Sequence, residues 1–343
     1  MKPIAISLIL LAGLHAVARP HVQMATGLQW TMTPTGVTAS LRGISAVSDR
    51  VVWASGSGGT VIRTTDGGKS WKTLAVPGAE TLDFRDVDAV DERTAYVLSI
   101  GNGDASRIFK TADGGLTWTP QFRNQNPQAF FDAMGFSDAF KGFALGDAVD
   151  GELLLMRTVD GVRWSRVPPD TLPPALAGEG AYAASGTNLA IQGSHVWFAT
   201  SASRVIRSTD GGRKWTPVVT PLPTGTSAGI FSIAFRDKTH GIVVGGDYKN
   251  LTDATDNAAV SDDGGASWTL VKGLGGFRSA VAFIPALERG VIAVGPSGTD
   301  YSTDDGRTWR AVAGQGFHTV SVARRSRTAW AAGEKGAVGA LRF

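Results

Sequence analysis

The chain has 343 residues, 43% of them apolar and only 18% charged, with 44 Gly, 10 Trp and no Cys, and its 33 Lys and Arg stand against 30 Asp and Glu. This composition excludes a disordered chain, which needs low hydrophobicity and high charge, and it excludes disulfide scaffolds, thiolate metal sites and thiol nucleophiles. A net charge of +3 gives no reason to expect nucleic acid, whose binders concentrate Lys and Arg on one face.

Lys2 is the only charge before Arg19, and the run from Ile4 to Ala18 is apolar and ends in Ala16, Val17, Ala18. A positive start, a short apolar stretch and a small-x-small ending predict a signal peptide over residues 1–18. The run is too short for a good membrane span, and no Cys follows it to carry a lipid. A membrane anchor or a buried first strand is the alternative. The expectation is an exported protein, periplasmic or extracellular, with one domain over residues 19–343 that does not span a membrane.

From there on the chain repeats. One phrase recurs six times: Thr64–Trp71 (TTDGGKSW), Thr111–Trp118 (TADGGLTW), Thr158–Trp164 (TVDGVRW), Ser208–Trp215 (STDGGRKW), Ser261–Trp268 (SDDGGASW) and Ser302–Trp309 (STDDGRTW). The closing tryptophans lie 47, 46, 51, 53 and 41 residues apart, and Trp30 stands 41 before Trp71 as the end of a unit without the phrase. Within each interval an alternating strand comes first, as in Leu41–Val47, Phe84–Val90, Phe131–Phe136, Phe231–Phe235, Phe277–Phe283 and Phe317–Val322. The fourth interval is irregular, with Gly186–Ile191 its best match. A second strand follows (Val51–Ala54, Val196–Ala199, Ala329–Ala332 and their equivalents), then a Gly-rich turn, a third strand, the phrase, and a fourth strand opened by Trp.

Four short strands per unit of about 40–50 residues, without helices, make a propeller blade. Seven first strands predict an all-β, seven-bladed β-propeller. The last unit lacks a fourth strand, and the N-terminal stretch around Trp30 is expected to supply it, closing the ring and leaving no open edge. Within the repeated phrase, Asp66, Asp113, Asp160, Asp210, Asp263 and Asp304 recur once per blade, which predicts structural turn residues rather than catalysts: the carboxylate accepts backbone N–H groups and Gly supplies positive φ. The third copy is one residue short and the sixth has Asp305 in place of Gly, so these two turns are expected to be looser.

Function is then sought where the units differ, at the face where the first strands begin and the second-to-third-strand loops lie. The residue after the leading Leu or Phe is Arg42, Arg85, Asp132, Ser232, Arg278 or His318 in units 1, 2, 3, 5, 6 and 7. Units 6, 7, 1 and 2 are neighbours in a ring, so Arg278, His318, Arg42 and Arg85 are expected to form one cationic arc suited to a carboxylate or phosphate; scattered strand-end charges paired with local acids such as Asp86 are the alternative. Opposite lie acidic loops, Asp147–Glu152 and Asp247–Asn257; the Asp-x-x-Asp-Gly-Glu spacing of the first is compatible with Ca²⁺, and both loops are compatible with solvated turns. Glu179, Tyr248 and Asp147 are the candidates for catalytic groups. The five His are dispersed without metal spacing, and there is no P-loop, nucleophile elbow or dinucleotide fingerprint, so neither a metal nor a cofactor is expected.

The phrase Ser/Thr-x-Asp-x-Gly-x-Thr-Trp resembles the Asp-box (BNR) repeat of sialidases and related propellers. The fuller unit, from the leading Phe through Trp-Ala-x-Gly to the phrase, is similar to the photosystem II stability/assembly factor family, over about residues 28–343. That resemblance implies an exported seven-bladed propeller without known catalysis, whose arginine-rich patch binds a protein partner; Arg42, Arg85 and Arg278 are the positions that would take that part, and the thylakoid lumen would be the location only in a photosynthetic host. The function expected is therefore a monomeric, non-catalytic binder of a protein partner or membrane-complex subunit. The alternative is a secreted glycan-acting hydrolase holding a carboxylate-bearing or glycan ligand in the same place. Sialidases would need an Arg-Ile-Pro motif, and here Phe283-Ile284-Pro285 lacks the Arg; they also need a Tyr nucleophile, and only Tyr248 sits in a suitable loop.

Overall fold

The computed structural model describes residues 24–343 and is a seven-bladed β-propeller, nearly all β. The expected signal peptide lies outside the described residues. Each blade is a meander of four antiparallel strands, and within one blade consecutive strands pair in order. In blade 1 these are Leu41–Ala46, Val52–Gly56, Thr60–Thr64 and Lys72–Thr73. The inner strands of the following blades are Asp83–Ala89, Phe131–Phe136, Leu189–Gln192, Ala228–Phe235, Ala280–Phe283 and Thr319–Val322. The only helical elements among the described residues are three-residue 3-10 turns, and no helix there is long and apolar enough to cross a membrane.

The N-terminal stretch divides between two blades. Thr31–Thr33 pairs antiparallel with Val338–Arg342 as the outermost strand of blade 7. Met24–Gln29 runs parallel to Arg310–Ala313 outside blade 6, giving that sheet a fifth strand. Trp30 sits between the two, its Nε1 donating to Thr299 Oγ1 at 3.2 Å and its ring 4.7 Å from Phe317.

Blade-to-blade packing explains the tryptophans. Trp53, Trp197 and Trp330, all in second strands, are fully buried or nearly so. Each meets the aromatic group of the next blade: Trp53 lies edge-on to Trp118 and Trp330 to Trp71, both at 6.3 Å, while Trp197 stacks on Phe235 at 3.7 Å with Trp268 beyond it. A strand buried on both faces must fill both inter-blade gaps, and wide aromatic rings do this with specific edge geometry. The inner strands are tied as well. Ala46 N donates to Ser321 Oγ, Ala89 N to Ser45 Oγ and Val281 N to Ser232 Oγ, each at 3.0 Å. Met134 N and Phe136 N donate to Asp86 and Asp88 at 2.7 and 2.8 Å. Channel-facing polar side chains thus satisfy backbone N–H groups of the next blade, which a buried inner strand cannot leave unpaired.

At the repeated turns the Asp carboxylate is saturated locally. Asp66 Oδ1 accepts Ser70 N at 3.0 Å and Oδ2 the Ser70 hydroxyl at 2.6 Å, while the Thr64 hydroxyl donates to Asp66 and accepts Gly68 N. The Thr117 hydroxyl and N–H do the same for Asp113 and bring its pKa down to about 2. Neither turn expected to be looser is so. The shortened third turn lacks the closing hydroxyl and its Thr158 to Asp160 bond lengthens to 3.3 Å, but Asp160 still accepts Val162 N, Arg163 N and Arg163 Nε at 2.9, 2.8 and 3.0 Å. The sixth turn keeps the full set, with Thr308 N and its hydroxyl 2.8 and 2.7 Å from Asp304. Asp305 takes the left-handed φ of 60° that Gly occupies elsewhere and is held there by Arg289 at 2.7 Å, so that turn is not loose.

Unit 4 departs from the rest. Residues 180–188, between its third-blade neighbour and its own inner strand, run across the central channel. The Ser185 hydroxyl donates to Ser279 O of blade 6 at 2.8 Å, and Thr319 Oγ1 of blade 7 donates to Ser185 O at 3.1 Å. Thr187 Oγ1 reaches Ser232 of blade 5 at 2.7 Å, and Gly186, at φ +71°, lies so close to the Asp86 carboxylate of blade 2 that a Cβ there would fall 2.3 Å from it. The irregular interval is the segment that divides the channel in two.

Candidate functional site

The crossing segment leaves a cavity of about 570 Å³ at the face where the inner strands begin. Its walls are built by one recurring device. In blades 1, 2, 3 and 5 the register between first and second strand slips by one residue near the start: Leu41 faces Gly56 but Gly43 faces Ser55, Phe84 faces Ser99 but Asp86 faces Leu98, Phe131 faces Gly146 but Ala133 faces Leu145, and Ile230 faces Gly245 but Ser232 faces Val244. The extra residues are Arg42, Arg85, Asp132 and Phe231, and all four line the cavity. A bulge re-aims the side chain it inserts, and here it turns four into the channel mouth. The position expected for Ser232 is therefore taken by Phe231, and Ser232 is an inner tie.

One wall is cationic. Arg85 Nε binds Asp83 at 2.8 Å and Nη1 donates to Ala183 O at 2.9 Å, leaving Nη2 uncommitted. Its acid partner is Asp83, not Asp86. Arg42 has only long contacts, 3.4 Å from Nε to Ser40 Oγ and 3.6 Å from Nη2 to Glu334. Burial, and then the adjacent Arg85 charge, lower its pKa. His318 joins this wall, with Nε2 2.6 Å from Glu334 Oε1. Burial first and the Arg42 charge next push it below the ordinary His value, against the opposing pull of Glu334, so the permanent cations of the arc are the two arginines.

Arg278 does not belong to it. Its guanidinium is turned into the blade, where Nε binds Asp300 at 2.7 Å and Nη1 donates to Phe277 O and Ser297 Oγ at 2.8 and 3.0 Å, and the residue is 2% exposed. Asp300 lies in the third strand of the same blade, and burying one charge there demands the other.

Aromatic rings form the next wall. Tyr182, from the crossing segment, stacks on Phe231 at 3.8 Å and 4°, and Phe277 and Tyr248 meet Phe231 edge-on at 4.6 and 6.0 Å. The Tyr182 hydroxyl donates to Ala228 O at 3.1 Å, and burial pushes its pKa up to about 12. Tyr248 is half exposed at the rim.

The third wall is acidic. Asp132 and Asp147 both belong to blade 3, one at the bulge and one at the end of the second strand. Asp147 Oδ1 accepts Ala181 N at 3.0 Å. Burial raises the pKa of both carboxyls, and Asp147 adds to the rise at Asp132.

Glu179, the other candidate acid, faces away from the cavity. It is buried and pairs with Arg204: Nε donates to Oε1 at 2.9 Å and Nη2 to Oε2, while the Thr200 hydroxyl and Leu176 N complete its shell at 2.6 and 2.8 Å. It anchors the start of the crossing segment, and no lone pair is left for acid–base work. The acidic loops are turns: Glu152 pairs with Arg166 at 2.8 Å, and Asp150 and Asp256 adopt left-handed φ. Among the described residues no group of three or more His, Cys, Asp or Glu is placed to hold a metal.

Sequence reasoning missed Tyr182, Phe277 and Asp132 as site residues. Asp132 stood in the same column as Arg42 and Arg85, and that column was the usable signal. Tyr182 carried none, because it belongs to the one stretch outside the repeat.

The class defined by this fold and site is a seven-bladed propeller with a closed-floored cavity at one mouth. By sequence the chain matches no family profile and no curated protein. By structure it is similar to YCF48 bound to a D1 peptide, with a TM-score of 0.68 at 17% identity over 94% of this chain and 99% of that one. It is similar to YCF48 from Cyanidioschyzon merolae, with a TM-score of 0.65 at 18% identity over 91% and 98%. The Neurospora crassa Pan2 WD40 domain is similar too, at 0.67 and 13% over 93% and 97%. At these identities the likeness is one of fold.

Proposed function

We propose that this chain is an exported, non-catalytic propeller that holds a segment of a protein partner in the mouth cavity, with the C-terminal carboxylate of that segment on Arg42 and Arg85. The observation that carries the reading is the placement of two half-buried guanidinium groups, with uncommitted N–H donors, beside a stacked aromatic wall in one cavity. A guanidinium fork suits a planar carboxylate, and hydrogen bonds to charged groups contribute about 1.5–3 kcal/mol. The Tyr and Phe faces would take the apolar part of the segment, in the manner of binding-surface anchors. The likeness to YCF48 bound to a D1 peptide and the resemblance to photosystem II assembly factors support a subunit of a membrane complex as the partner class. An exported location rests on the apolar leader at residues 1–18.

The test is selection of displayed random octapeptides with free C-termini on the purified protein. Enrichment that falls at least tenfold on Arg42→Ala/Arg85→Ala is expected. No enrichment over a bare support, from protein with a native circular-dichroism spectrum, would overturn the reading. The hydrolase alternative would have to use Asp132 and Asp147, since Glu179 is committed to Arg204; no turnover of sialosides is expected.

A further inference from the structure

The acidic wall of the same cavity has no task in holding a carboxylate. Asp132 is 1% exposed, yet its Oδ2 has no hydrogen-bond partner among the described residues. A buried polar atom left unpaired costs about 1–3 kcal/mol, and bulges that aim side chains into a mouth are built features rather than accidents. Elsewhere in the channel the protein satisfies its carboxylates: Asp86 and Asp88 each accept a backbone N–H of the next blade. At the mouth it leaves one open, next to a second. Asp147 has one bond, from Ala181 N, and Gly180 packs so tightly on it that a Cβ there would fall 1.9 Å from Oδ1.

We infer that Asp132 and Asp147 receive a cationic group of the bound segment, a Lys or Arg side chain, so that the cavity reads a peptide bearing both a carboxylate and a basic residue. The inference rests on the peptide-binding reading above and specifies its ligand. Three features of the cavity fit a cation. Both carboxyls line the cavity, and no cation among the described residues engages Asp132. Burial, and at Asp132 the neighbouring Asp147 charge, raise the pKa of both carboxyls, and a cation settling between them would offset these two effects. The exposed ring of Tyr248 at the rim of the cavity offers a surface on which an ammonium or guanidinium group is further stabilised. The adjoining wall of Arg42 and Arg85, in blades 1 and 2, repels a second cation, so the two walls fix the direction of the segment.

The same free-C-terminus octapeptide selection tests this when its sequences are read by position. Enrichment of Lys or Arg at one fixed distance from the C-terminus is expected, with that preference lost on Asp132→Asn while dependence on Arg42 and Arg85 stays. Replacing the enriched basic residue by norleucine should weaken binding to the unaltered protein at least tenfold, a measurement that does not depend on how the variant folds. Peptides that need Arg42 and Arg85 but show no basic preference would overturn the inference and leave the peptide reading standing. A basic preference unchanged in Asp132→Asn, or norleucine peptides that bind equally, would also overturn it. If nothing is enriched at all, both fall together.

Discussion

The two ends of the channel are built from the same seven strands and use carboxylates differently. Beyond the crossing segment lies a second cavity, of about 410 Å³, lined in part by Asp86 and Asp88. These acids serve the ring: each takes a backbone N–H from blade 3, and both would be as necessary in a propeller that bound nothing. At the mouth, Asp132 is as deeply buried as Asp86 and holds no such bond. Burial and a raised pKa do not separate these groups, since both ends have them. What separates them is whether a partner already exists. Glu179 and Arg278 make the same point, for both are buried charges near the mouth that are fully occupied by Arg204 and Asp300.

The comparison can be broken most severely at Glu179. Glu179→Gln leaves Arg204 buried without its counter-ion, and removing one partner of a buried pair costs about 3–5 kcal/mol; urea unfolding should show a loss of that size, and a change under 1 kcal/mol would mean that the pair does not hold the crossing segment. Arg42→Ala and Arg85→Ala should each weaken peptide binding about 10–100-fold, equivalent to about 1.4–2.8 kcal/mol, with little change in the unfolding midpoint. A matched loss of stability would make these arginines structural, like Arg278.

The acids of the far end predict an unusual pH dependence. Burial raises Asp88 to about 6, so between its ordinary value and 6 the native state binds more protons than the unfolded chain. Stability should therefore fall as pH rises through that window, and be greatest for this group below it. Asp88→Asn keeps an acceptor for Phe136 N and should flatten that slope in thermal melts taken from pH 4 to 7. A slope unchanged in the variant would show that Asp88 is already ionised there. The smallest effect is expected at Ser321→Ala, which leaves Ala46 N without its partner from blade 7 and should cost about 1 kcal/mol with no change in peptide binding.

The ring was legible in the sequence because each blade repeats a local hydrogen-bonding problem. A turn that needs positive φ and a carboxylate selects Asp and Gly at fixed distance from a Trp that fills the gap to the neighbouring blade, and such constraints recur wherever the blade recurs. Arg42, Arg85 and His318 were legible for a related reason, as variable residues in an otherwise regular column. Arg278 occupied the same column and misled, because its partner Asp300 lies on another strand and nothing local announces the pair. The bulge in blade 5 displaced the column by one residue, from Ser232 to Phe231, since a register slip is invisible in an alternating apolar run. Residues 180–188 were least legible of all. Their shape is dictated by contacts with blades 2, 5, 6 and 7, and no periodic pattern encodes contacts made only once.

The central claim, that Arg42 and Arg85 hold a carboxylate of a bound segment, is tested most directly by a thermodynamic cycle. One selected peptide is titrated calorimetrically, as the free acid and as the C-terminal amide, into the protein and into Arg42→Ala/Arg85→Ala. Amidation and the double substitution should each weaken binding at least tenfold, and together scarcely more than either alone, because both remove the same interaction. Losses that simply add, or an amide that binds as well as the acid, would contradict it.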